Sequence, residues 1–157
     1  MAEENKAPTQ QFLIQKVYVK DLSFETPNSP SVFTLKWEPE INLNMNSKSE
    51  MIQEHIYEVV ISLTVTAKIG DKTAYLAEAH QAGIFTMAGF EDEQFKAMIG
   101  AYCPTVLYPY AREAISELVA KGGFPQLVLA PINFDALYQQ QITEVNAAIA
   151  KPGNLAH

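Results

Sequence analysis

The sequence predicts an α+β fold, a four-stranded antiparallel sheet with C-terminal helices packed against it. Apolar residues recur with period two from Phe12 to Gln81, the repeat of strands that bury one face. From Glu91 onward they recur with the 3.6-residue period of amphipathic helices. At 157 residues the chain has the length of one domain with one sizeable core. The expected organisation is a flexible N-terminus over 1–11, a single domain over 12–150 and a flexible tail over 151–157. Within the domain, strands occupy about 12–81 and helices about 91–150.

The first strand opens at Phe12, after a polar, aperiodic stretch. One face carries Phe12, Ile14, Tyr18, Leu22 and Phe24, interrupted by Lys16 and Lys20. The other carries Leu13, Val17 and Val19, then turns acidic at Asp21 and Glu25. Pro27 and Pro30 end the ladder, and an irregular crossover bearing Phe33 and Trp37 follows. Ile41, Leu43 and Met45 then alternate with Asn42, Asn44 and Asn46, and Ser47 to Gln53 reads as a polar connection. The strongest strand is His55 to Ala67, with Tyr57, Val59, Ile61, Leu63, Val65 and Ala67 on one face. Gly70-Asp71 is a tight hairpin signal. The returning strand, Thr73 to Gln81, puts Leu76, Glu78 and His80 opposite Tyr75, Ala77 and Ala79.

After Gly83 the pattern is read as helical. Glu91-Asp92-Glu93 suits the positive end of a helix dipole, and Phe95, Met98, Ile99 and Tyr102 form its apolar stripe. Pro104 is expected to stop or kink that helix. A second helix, with Leu107, Ala111, Ala114, Ile115 and Leu118 on one face, runs to about Lys121 and stops at Gly122-Gly123. Pro109 marks either its start or a kink. Asn133 is positioned to cap a last helix whose face is Phe134, Leu137, Tyr138, Gln141, Val145 and Ile149. Lys151-Pro152-Gly153 ends it.

Composition narrows the function. With 18 acidic and 11 basic residues the net charge is −7, which disfavours nucleic acid as a partner. A single cysteine excludes an internal disulfide and fits a reducing, cytoplasmic location. No apolar run approaches the roughly 20 residues of a bilayer span, and the N-terminus lacks a signal-peptide pattern, so no membrane insertion is expected. No nucleophile elbow, metal-ligand spacing or phosphate-binding glycine motif is present, and no catalytic residue, metal site or cofactor is assigned. Cys103 reads as a buried structural thiol.

What remains is apolar surface. Phe33, Trp37, Ile41, Leu43, Met45, Tyr110, Phe134, Leu137 and Tyr138 are more large groups than one sheet face easily covers. They read as ordinary core or as a groove for extended peptides, beside a strand edge that offers backbone hydrogen bonds. Asp21, Glu25 and Glu78, with Leu76, read as a solvated acidic face or as a docking surface for a basic partner.

Four long strings carry a family resemblance: VYVKDLSFETPNSP at 17–30, GIFTMAGF at 83–90, GAYCPTVLYPYARE at 100–113 and FPQLVLAPINFDAL at 124–137. Together they resemble the SecB protein-export chaperone family, from about Phe12 to Tyr138. The resemblance implies an ATP-independent holdase that binds unfolded precursors in the bacterial cytosol and delivers them to the SecA translocation ATPase. It implies a homotetramer, a dimer of dimers, with Met98, Tyr102 and Cys103 at the oligomer interface. It assigns Asp21, Glu25, Leu76 and Glu78 to the ATPase. The client groove is assigned to Phe33, Trp37, Ile41, Leu43, Met45, Tyr110, Phe134, Leu137 and Tyr138. After Tyr138 the chain departs from the family's usual tail, which makes a second ATPase contact. Any zinc at that contact belongs to the partner. The alternatives are an oligomeric carrier of an apolar ligand and a purely structural oligomerisation domain.

Overall fold

Four strands, β1 (Gln11–Glu25), β2 (Glu40–Gln53), β3 (Ile56–Ile69) and β4 (Lys72–Ala88), form one antiparallel sheet in the spatial order β1-β4-β3-β2. The structure, a computed structural model, describes residues 9–150, with side chains described over 9–144. The expectations placed on 1–8 and 151–157, and on the side chains of Val145 and Ile149, lie outside the described residues. Three hairpin-linked strands with β1 returned beside β4 make a Greek key. Two-residue turns set the registers. Gly70-Asp71 joins Ile69 to its partner Lys72, with Gly70 at φ 63°. Glu54-His55 joins Gln53 to Ile56, and there the tight turn holds a non-glycine residue, His55, at φ 63°.

The strands are longer than the sequence predicts. β4 continues past Gln81 to Ala88, because Gly83, Phe85 and Met87 keep the inward alternation while β3 pairs with it as far as Thr86 and β1 as far as Ala88. The polar stretch 47–53 is not a connection but the second half of β2, paired with β3 from Ser47↔Ile61 to Gln53↔Ile56. Here backbone pairing with a long, strongly apolar strand overrides a weak local pattern. β1 also departs from simple alternation. Register shifts between Ile14 and Lys16 and between Val19 and Asp21 insert two bulges. Each bulge flips the side-chain phase, so Phe12, Val17 and Phe24 pack on the core while Tyr18 turns to the opposite face. The expected grouping of Tyr18 with Phe12 and Phe24 is thereby corrected.

The helical region is one path from Asp92 to Lys121. α1 (Asp92–Ala97) opens where Gln94 accepts the Glu91 N–H at 3.3 Å. A π turn (Met98–Tyr102) then leads into α2 (Cys103–Lys121). Pro104 does not stop the helix. The wider turn lets the Cys103 N–H reach the Met98 carbonyl and accommodates a proline without a donor. Pro109 lies inside α2, whose apolar face of Leu107, Ala111, Ile115 and Val119 is fully buried against the sheet and offsets the missing bond. After a connection pinned by the Tyr108 hydroxyl donating to the Ala130 carbonyl at 2.6 Å, α3 (Phe134–Ala150) begins. Asn133 caps it, its Oδ1 accepting the Ala136 N–H at 3.0 Å.

The core lies between α2 and one sheet face, built by Val59, Ile61, Leu63 and Val65 of β3 and Ala77, Phe85 and Met87 of β4. The other sheet face has no element over it among the described residues. Glu58, Ser62, Thr64, Leu76, Glu78, His80 and Thr86 stand there partly exposed. No described helix is long and apolar enough to cross a membrane.

Candidate functional site

The β2 row Ile41, Leu43 and Met45 points to the helix side, opposite Ala67, Val65 and Leu63. At about 3.4 Å per residue this row spans about 14 Å, and it joins two apolar features. At one end lies a groove of about 590 Å³ between β2 and the helices, lined by Met45, Phe95, Ile99, Pro104, Phe134, Leu137 and Tyr138, with Lys48 and Lys96 also on its lining. Phe134 is buried against the Tyr108 ring at 5.6 Å and forms part of the wall from beneath. Gly100 lets the Tyr138 ring rest directly on the π turn, since an added Cβ would lie 2.6 Å from that ring and displace it. At the other end the crossover lays Phe33 and Trp37 on Phe124, with centroids 4.9 and 5.5 Å away, and Trp37 also stacks on Tyr75 at 6.3 Å. Phe33 remains 50% exposed. In the described sheet β2 is an edge strand, so its outer backbone groups are unpaired by another strand. Unpaired backbone beside adaptable apolar walls is the chemistry of extended-peptide capture.

The nine predicted groove residues are therefore not one lining. Met45, Phe134, Leu137 and Tyr138 share the groove, Phe33 and Trp37 form the separate aromatic cluster, and Ile41 and Leu43 lie on the strand between them. Tyr110 stands apart, on the exposed side of α2, and lines neither feature. Sequence reasoning did not assign Phe95, Ile99 and Gly100 to the groove or Tyr75 and Phe124 to the aromatic cluster. The four-residue spacing of Phe95 and Ile99 carried that signal, since it puts both on one helix face.

The open sheet face assembles the acidic set. Glu25 pairs with Leu76, Ser23 with Glu78 and Asp21 with His80 in the β1–β4 register, and Asp21, Glu25, Leu76 and Glu78 all lie on this face. Glu78 accepts the Thr64 hydroxyl at 3.3 Å and lies 3.0 Å from His80 Nε2. Nearby, Lys20 and Tyr18 both donate to Glu58, the lysine at 2.8 Å. These two partners hold the Glu58 carboxyl below its usual range. Burial, together with the same glutamate, pushes the Tyr18 hydroxyl up to about 12. Among the described residues no three His, Cys, Asp or Glu side chains gather to hold a metal ion.

Of the predicted interface residues, Met98 is half-buried and Tyr102 is 47% exposed on the π turn, with its ring edge-on to Phe12 at 4.8 Å. Cys103 faces inward instead. It is 0% exposed in the subunit's own core, and burial pushes its thiol up to about 12. The structural-thiol reading matches this position within the subunit.

The family described as preprotein translocase subunit SecB matches residues 4–145. Protein-export protein SecB of Methylococcus capsulatus is 61% identical over 142 residues, covering 90% of this chain and 92% of that protein. Protein-export protein SecB of Nitrosococcus oceani is 59% identical over 133 residues, covering 83% and 81%. Among solved structures, a SecB-like chaperone of Mycobacterium tuberculosis, in complex with a peptide from an antitoxin, superposes with a TM-score of 0.64. It covers 77% of this chain and 90% of its own at 18% identity, a likeness of fold. On the length and identity of these matches, the chain belongs to the SecB family of protein-export chaperones.

Proposed function

We propose that this chain is an ATP-independent holdase that binds unfolded precursor polypeptides in the bacterial cytoplasm and delivers them to the SecA translocation ATPase. The observation that carries the reading is the edge strand β2, whose apolar row connects a groove of about 590 Å³ to an aromatic cluster topped by the half-exposed Phe33. An extended client bonds to backbone, which is independent of its sequence, and inserts alternate side chains into apolar walls. Met45, Phe134, Leu137 and Tyr138 hold one part of the client, and Phe33 and Trp37 hold another. The open face, with Asp21, Glu25, Leu76 and Glu78, takes the ATPase, a basic surface being steered by the carboxylates around one apolar contact. Four copies assemble as a dimer of dimers, with Met98 and Tyr102 on the surface between subunits.

The test is aggregation of a chemically unfolded precursor with and without the protein, in the absence of nucleotide, with particle mass measured by light scattering. Suppression at the mass of a tetramer plus client is expected. A protein that leaves aggregation unchanged overturns the holdase reading, and a metabolite retained in native mass spectra would favour a small-ligand carrier instead.

A further inference from the structure

On the open face one side chain is not accounted for by the family assignment. His80 sits on β4, a central strand, so neighbours surround it on both sides. On its own strand it meets Glu78, with Nε2 3.0 Å from the Glu78 carboxylate. On β3, its register partner Ser62 places Oγ 3.0 Å from Nδ1. On β1 its register partner is Asp21. The same ring borders a hollow of about 360 Å³ whose lining includes Lys20 of β1, Glu58 of β3, and Lys48 and Glu50 of β2. Tyr18 of β1 reaches this cluster through Glu58.

The hydrogen bonds define what the imidazole can do. An ionised carboxylate only accepts, so Nε2 carries a proton toward Glu78. Nδ1 then accepts from the Ser62 hydroxyl when the ring is neutral, and donates to the same oxygen when it is charged, because a hydroxyl both gives and takes. A proton is gained or lost without orphaning any partner. Lysine ammonium groups and carboxylates as classes keep their charge between about pH 5 and 8, the range in which imidazoles change theirs.

We infer that His80 is a positioning residue for the acidic docking face, orienting the Glu78 carboxylate and making the strength of docking depend on pH. This rests on the docking role proposed above for Asp21, Glu25, Leu76 and Glu78. With a neutral ring, Nε2 holds Glu78 in place for a basic partner. With a charged ring, a positive charge sits beside Glu78 on the strand next to Asp21, satisfies the glutamate internally and repels the same partner. Docking therefore weakens when acidification puts the second proton on the ring.

The experiment measures SecA affinity from pH 5.5 to 8.5 for the full-length protein and for His80→Gln, Glu78→Gln and Asp21→Asn, against one ATPase preparation so that the partner's own titrations cancel. Loss on acidification of roughly two- to fivefold, the scale of an exposed charge pair, is expected for the native protein. In His80→Gln that pH ratio contracts toward one. An equal ratio in both proteins overturns the inference. Should Glu78→Gln and Asp21→Asn leave affinity unaltered at every pH, the docking assignment itself fails. The two failures are told apart by NMR titration of the His80 ring without partner, which moves in Glu78→Gln if the pair is formed and stays put if it is not.

Discussion

The two faces of the sheet are built from the same strands and stabilised by different physics. The face beneath α2 is closed by Leu63, Val65, Phe85 and Leu107, all fully buried, and its energy comes from apolar area removed from water and close packing. The open face is held by side-chain hydrogen bonds among Glu58, Lys20, Ser62, His80 and Glu78, none of them buried. Exposed pairs of this kind contribute little stability, so their placement is free to serve recognition. The lesson is a division of labour. One face folds the subunit and, at its β2 edge, presents apolar surface. The other carries charge that can change without unfolding anything.

The largest effect should come from the closed face. Leu63→Ala is expected to lower stability by about 2–5 kcal/mol in urea denaturation, whereas Thr64→Ala, one residue along on the open face, should stay within about 0.5 kcal/mol. Comparable losses at both positions would erase the distinction. Next in size is Gly100→Val, which forces a side chain into the Tyr138 ring. A cost of about 1–3 kcal/mol is expected, with faster amide exchange in the first turns of α3. Unaltered exchange there would mean that the π turn does not seat this helix. On the β2 edge, Ile41→Ala, Leu43→Ala and Met45→Ala combined should weaken unfolded-precursor binding about tenfold, or ~1.4 kcal/mol, with particle mass unchanged by light scattering. Full affinity in that variant would remove the row from the client site. The smallest effect concerns Cys103. Its thiol is raised to about 12 in the folded chain from 9.0, so the neutral form it stabilises is fully present below pH 9. That contribution fades as pH rises from 9 toward 12. At pH 8 alkylation should proceed only as fast as global unfolding, and rapid modification of native protein would contradict its burial.

Much of this asymmetry was legible in the sequence, and the losses have particular causes. Strict alternation in His55 to Ala67 and Ile41 to Met45 placed the inward residues correctly, because a buried face leaves no freedom of phase. The spacing of Asp21 and Glu25, and of Leu76 and Glu78, put each pair on one face of its strand, since no bulge intervenes within either, and the β1–β4 register brings the two pairs together. Upstream, the bulges after Ile14 and after Val19 reset the phase of β1, and no residue type announced them. Ser47 to Gln53 looked like a connection because an edge strand with exposed faces carries no apolar pattern. Pro104 read as a stop or a kink and Pro109 as a start or a kink, because the π turn and the buried face of α2 that offset them are tertiary features. The groove residues split into clusters because spacing along the chain does not report distance across the fold. Tyr110 shows this most plainly, standing apart on the exposed side of α2.

The most direct test of the central claim is a crossed binding measurement on the double charge reversal Asp21→Lys with Glu25→Lys. Affinity for the SecA ATPase and affinity for a labelled unfolded precursor are read by fluorescence anisotropy on the same preparation. The two-face account predicts that SecA binding falls about tenfold or more and loses much of its salt dependence, while precursor binding stays at the native value. Precursor affinity falling alongside, or SecA affinity holding, would contradict it.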